Sequence, residues 1–130
     1  DFGSQTGVFA FLLMVIAAPV FEELIFRGIM LDGLLKKYTP TKSILLSSFL
    51  FGIVHLNPWQ FPATFILGLL LGWIMLRTNS ILLVILGHSI NNTLVLLSIT
   101  YWNSIRSHPI YLMEKKDLYY ISAVVSLVSV

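Results

Sequence analysis

The chain has 130 residues, of which 57% are hydrophobic and only 11% charged, and its mean hydropathy is +0.88. A soluble domain carries about 25% charged residues, so there is too little polar side chain here to coat a water-facing surface, and lipid is the expected solvent. The net charge of +2 is spread over scattered lysines and arginines, which excludes a nucleic-acid-binding stripe, and the lack of cysteine excludes disulfides and thiolate chemistry.

Five apolar segments separate at turn signals. They predict an all-α fold: a polytopic transmembrane helical bundle of about five spans in one membrane-embedded domain, residues 1–130. The chain opens at Asp1 and ends within an apolar run, so it reads as a fragment of a longer membrane protein, truncated at both ends. The first segment runs from about Gly7 to Lys37, roughly 45 Å of helix and more than a bilayer core needs. It should tilt, or bend near Pro19, where a backbone hydrogen bond is lost. The second runs from Thr41 to about Leu56 and closes at Asn57-Pro58. The third runs from Phe61 to Leu76, with Pro62 in its first turn and Gly68-x-x-x-Gly72 inside, a spacing that lets another helix approach closely. The fourth starts after a Ser80 cap and ends near Ile99. A polar link, Tyr101 to Lys116, places Trp102, Tyr111 and Tyr119 at headgroup depth and His108 in solvent. The fifth segment starts near Asp117.

Alternating spans put Lys36, Lys37, Lys42 and Arg77 on one side of the membrane, and Arg106, Lys115 and Lys116 on the other. The positive-inside tendency favours the first side as cytosolic.

Between Val8 and Leu31 the only charges are Glu22, Glu23 and Arg27. Charges inside a membrane helix are costly and mark function. Neighbouring residues on a helix lie about 100° apart, so the two carboxylates face different ways. Arg27 stands one turn after Glu23, at ion-pair spacing. Glu23 is therefore assigned to a structural pair with Arg27, and Glu22 is left to act as a general base. His88 and Asn92 are also four residues apart and share a face. Counting 1.5 Å per residue, Glu22 lies roughly 22 Å from Lys37, His55 roughly 20 Å from Lys42 and His88 roughly 16 Å from Arg77. One carboxylate and two imidazoles from three helices thus fall at similar depth. A carboxylate and an imidazole can hold and deprotonate a water, while a second imidazole and an amide can donate to an oxyanion. The same Glu22, His55 and His88 could instead ligate a divalent metal such as zinc. Sequence does not choose between a metal and none.

Ser47, Ser48 and Ser89 read as helix-packing hydroxyls, since no glycine-flanked serine motif is present. No H-E-x-x-H occurs.

Glu22-Glu23-Leu24-Ile25-Phe26-Arg27, Phe51-Gly52-Ile53-Val54-His55 and His88-Ser89-Ile90-Asn91-Asn92 resemble, in order, the EExxxR, FxxxH and HxxxN motifs of a known family. It is the CAAX-protease and bacteriocin-processing family of intramembrane proteases (CPBP, or Abi), which includes the type II CAAX prenyl proteases. The resemblance covers roughly Phe11 to Leu97. It implies an all-helical membrane endopeptidase, glutamic or metallo-, cutting a membrane-associated peptide or protein. By that resemblance Glu22 and His55 activate water, His88 and Asn92 stabilise the oxyanion, and Glu23, Arg27 and Phe51 support the site. The expected setting is the lipid bilayer of a prokaryotic cell membrane, with a prenylated-like peptide or a leader peptide as substrate and a role in CAAX processing, bacteriocin immunity or peptide maturation. The rival reading is a non-proteolytic carrier or an inactive scaffold that uses the buried Glu and His groups to bind ions or partners.

Overall fold

The computed structural model describes residues 5–106, and within them the fold is all helical. Helix α1 is one uninterrupted run, residues 5–35. In it, α-helical pieces Gln5–Phe11, Ala18–Glu23 and Asp32–Leu35 alternate with π-helical turns over Leu12–Ala17 and Leu24–Leu31. Helices α2 (Pro40–Ile53), α3 (Phe61–Thr78) and α4 (Ile81–Arg106) follow.

Proline 19 is absorbed by a change of winding. The Ala18 amide reaches back five residues to the Leu13 carbonyl, and the π turn ends just before the ring. Pi-helical turns are rare and cluster at functional sites. At the other end, the Lys37 and Tyr38 amides close α1 on the Leu34 carbonyl. Thr39 is then extended, as a residue before proline must be, and Pro40 opens α2 from a position that needs no donor.

Helix α2 stops at Ile53, three residues before the expected end at Leu56. The Leu56 amide bonds to the Ile53 carbonyl with φ at +53°, a left-handed turn that reverses the chain. At 14 residues, α2 is about 21 Å long, shorter than a bilayer core of about 30 Å. Asn79, with φ +50°, ends α3 by bonding its amide to the Met75 carbonyl. Ser80 then caps α4 by accepting from the Leu83 amide. Helix α4 runs past Ile99 to Arg106, so Tyr101 and Trp102 lie on its last turns and not in a separate link. The rest of the proposed polar link, with His108, Tyr111, Lys115 and Lys116, and the proposed fifth span from near Asp117 lie outside the described residues.

Three of these helical runs are long and apolar enough to cross a membrane: Gly7–Leu35, Phe61–Thr78 and Ile81–Asn103. Phe21, Ile29, Ile66, Leu82 and Tyr101 stand on the outside, an apolar coat suited to acyl chains.

The tightest packing joins α2 to α3. Ser43, Ser47, Ser48 and Gly52 give α2 a buried face of small residues. Gly68 and Gly72 of α3 lie against Ser48 and Ile44 of that helix, so the glycine pair read from the sequence does mark a close approach. A Cβ at Gly68 would stand 2.9 Å from the Ser48 Cβ and 3.0 Å from its Cα, where neither side can yield cheaply. A Cβ at Gly33 would meet nothing within 4 Å. Gly68→Ala is therefore expected to destabilise the bundle by about 1–3 kcal/mol. Gly33→Ala should be neutral or stabilising by up to about 1 kcal/mol. Thermal unfolding of both variants in detergent checks the contrast.

Candidate active site

Glu23 sits at the centre of a buried polar cluster. Its side chain is fully buried, and that of Arg27 is 1% exposed. Arg27 Nη1 lies 2.7 Å from both carboxylate oxygens and donates along its N–H line to Oε1. Nη2 of the same guanidinium donates to the Gly68 carbonyl at 3.1 Å, tying α1 to α3 at the glycine contact. The Phe51 ring lies under the guanidinium, 4.5 Å from its carbon, as a cation–π partner. The pairing expected from the four-residue spacing is present, and it extends across helices.

The sequence assigned Glu23 to Arg27 alone. In the structure Glu23 Oε1 also receives a hydrogen bond from His88 Nδ1, 2.7 Å away on α4. A carboxylate only accepts, so this contact puts a proton on Nδ1 and leaves Nε2 as the working nitrogen. Nε2 points towards Glu22, 3.8 Å from its Oε2. That is too long for a direct hydrogen bond, but an oxygen atom seated beside the pair can lie about 2.8 Å from both.

His55 is treated in the same way. Its Nδ1 lies 2.8 Å from the Phe51 carbonyl, one turn earlier. A carbonyl only accepts, so Nδ1 carries the proton and Nε2 keeps its lone pair. Both imidazoles stand edge-on to the Phe51 ring, with centroids 5.1 Å (His55) and 5.7 Å (His88) from it. Phe26 packs edge-on against the same ring at 5.2 Å. Phe51 is fully buried and holds four of the cluster's groups in register.

Asn92 is oriented by two hydrogen bonds. Its Oδ1 accepts from Asn91 Nδ2 at 3.3 Å, and its Nδ2 donates to the Met14 carbonyl at 2.8 Å. That carbonyl is open for a local reason. The Ala18 amide is taken by Leu13, and Pro19, the next residue on, has no amide hydrogen. The π turn and the proline together strip Met14 of an intrahelical donor, and Asn92 fills the vacancy. One Nδ2 proton is spent there and the other remains for a ligand.

Glu22, His55, His88 and Asn92 all line one cavity of about 170 Å³ among α1, α2, α3 and α4. Glu22 keeps 32% of its side chain exposed, while Glu23 keeps none. This is the split between the neighbours that the helix geometry required. A cavity of about 150 Å³ accepts a benzene ring, so this one has room for a peptide group and little more. Met14, Ala18, Leu67 and Val95 supply its apolar wall. Among the described residues no group of three or more His, Asp or Glu side chains is placed to hold a metal ion, so Glu22, His55 and His88 do not form such a set here.

Among the polar lining residues, sequence reading missed Gln60, Thr64 and Asn91. Gln60 looks like part of a short polar link, and Thr64 like any hydroxyl in an apolar helix. Ser47 and Ser48 are packing groups as expected: Ser47 Oγ donates to the Phe26 carbonyl, and Ser48 is buried against Gly68.

Removing Arg27 would leave Glu23 charged, buried and short of donors. Arg27→Ala is expected to cost about 3–5 kcal/mol and to collapse the folded yield in detergent. Arg27→Lys should recover only part of it, because one ammonium cannot meet the carboxylate and the Gly68 carbonyl in the geometry of a planar fork. Size-exclusion yield and melting temperature of the two variants check this.

No curated protein and no solved structure matches the chain. Residues 4–94 match the family model described as type II CAAX prenyl endopeptidase Rce1-like. The match covers more than half of the chain and contains the Glu22–Arg27, Phe51–His55 and His88–Asn92 motifs. A motif set inside helices of membrane-spanning length agrees with that description, and the chain belongs to the Rce1-like family of type II CAAX prenyl endopeptidases, an integral-membrane protease family.

Proposed function

We propose that the chain hydrolyses a peptide bond of a membrane-associated, CAAX-type substrate with a water activated by Glu22 and His55. One observation carries the reading. An accessible carboxylate, Glu22, shares a cavity with two imidazoles whose Nδ1 atoms are both tied to acceptors, which leaves both Nε2 atoms for chemistry.

In this reading the water lies against Glu22, with one hydrogen directed to the carboxylate and the other to His55 Nε2. Glu22 takes the first proton as the water oxygen attacks the scissile carbonyl carbon. The carbonyl π electrons move to oxygen, and the oxyanion meets the free Nδ2 proton of Asn92 and Nε2–H of His88. With Nδ1–H committed to Glu23, His88 donates from Nε2 as well only when both ring nitrogens carry a proton. Glu22 then gives its proton to the leaving nitrogen as the C–N bond breaks, yielding one carboxyl and one amine. No acyl-enzyme forms, so no burst and no trapping by serine reagents are expected.

Cleavage of a prenylated, internally quenched CAAX-type peptide by protein in lipid vesicles tests this. Glu22→Gln should abolish turnover with the fold intact, and Asn92→Ala should lower it about 10²–10³-fold. Full turnover by Glu22→Gln would remove the base. Ion flux through the vesicles that Glu22→Gln abolishes, with no peptide cut, would favour a carrier.

The same assay examines the Met14 carbonyl. Pro19→Ala returns an amide hydrogen that competes with Asn92 for it. Thermal stability should be unchanged or higher, as a proline leaves the helix interior, while turnover falls towards that of Asn92→Ala. A variant whose turnover and melting temperature both match the parent would separate the proline from the site.

A further inference from the structure

The side-chain amide of Gln60 is the one cavity group whose chemistry has no assigned use. Gln60 ends the turn between α2 and α3 and is only 5% exposed. Its backbone is fully engaged: the amide donates to the Asn57 carbonyl, and the carbonyl accepts from both the amide and the hydroxyl of Thr64. Its side-chain amide has no hydrogen-bond partner among the described residues, and it is not one of the partnerless atoms sealed from all space. Gln60 lines the cavity that holds Glu22 and His55.

An amide at the wall of a cavity, without a protein partner, keeps its donors and acceptor for whatever enters. Gln60 offers two donors and one acceptor oxygen. A charged ligand would call for one kind of group only. An extended peptide offers a carbonyl and an N–H from each unit, which is the complement of an amide. The cavity wall is apolar at Leu67 and Val95, which suits aliphatic side chains flanking such a backbone.

We infer that Gln60 binds the main chain of the substrate, through the amide group of the peptide unit next to the scissile bond. The inference rests on the peptidase reading above. It makes Gln60 a specificity-determining contact that selects an extended, unmodified backbone and is indifferent to side-chain identity.

The test uses the full chain in lipid vesicles, the quenched prenylated CAAX-type peptide, and two analogues in which an ester replaces the amide on one or the other side of the scissile bond. Gln60→Met keeps length and apolar bulk and removes the hydrogen bonds. It is expected to lower kcat/KM about 10–100-fold, mainly through KM, with an unchanged melting temperature. One ester analogue should be a comparably poor substrate for the parent protein and should suffer no further loss with Gln60→Met. A purely structural glutamine would instead move the melting temperature and treat amide and ester alike. Parent-like kcat/KM in Gln60→Met overturns the inference and leaves the peptidase reading standing. So does equal cleavage of both esters and the amide by the parent, an outcome that needs no variant to fold. Absence of any cleavage by the parent overturns the peptidase reading, and this inference with it.

Discussion

A carboxylate buried in a membrane helix bundle is tolerable only if its charge is met, and Glu23 is met by two groups, one of which reaches on to a third helix. Arg27 neutralises it from the next turn of α1, His88 donates from α4, and Arg27 passes the connection on to the Gly68 carbonyl of α3. The ion pair is thus less a local salt bridge than the point where three helices are bound into one register. Breaking such a cluster costs far more than an exposed pair would, because whichever partner remains is stranded in a medium that cannot solvate it. Its second effect is on the neighbouring residue. With Glu23 committed inward, Glu22 one step round the helix is left lining the cavity, without a direct hydrogen bond and partly exposed.

Backbone groups are used with the same economy. In a helix every carbonyl expects a donor within its own chain, and a proline removes one. Here the winding before Pro19 shifts the loss onto Met14, whose carbonyl then orients Asn92 from another helix. Phe51 plays an analogous part with an aromatic ring. It carries no chemistry, yet its faces and edges set the positions of Arg27, His55 and His88.

Much of this was legible from local rules. The split between Glu22 and Glu23 follows from 100° per residue, and the Arg27 pairing from one helical turn. The end of α3 at Asn79 and the Ser80 cap follow from turn chemistry. What escaped depends on relations between distant residues or on missing punctuation. The His88–Glu23 contact joins positions 65 apart in sequence and depends on how α4 is rotated. The early end of α2 relies on Leu56 in a left-handed conformation that a leucine does not advertise. Helix α4 outran its expected end because no glycine or proline lies between Gly87 and Pro109, and polar residues alone do not stop a helix. Gln60 escaped because a polar residue at the edge of an apolar segment reads as a boundary.

The brevity of α2 has a consequence for the solvent. A bilayer tolerates a helix that is too short only by thinning around it or by admitting polar groups to its depth. The last-turn carbonyls of α2 and the reversal that follows cannot face hydrocarbon without partners, so non-helical backbone at this level has to line a hydrated space. Asn57, Gln60 and His55 stand at that reversal. A truncated helix of this kind is a notch in the membrane's insulation. Such a notch is a route by which water, the one reactant that a hydrolase buried in lipid does not find around itself, can reach a depth that longer helices exclude.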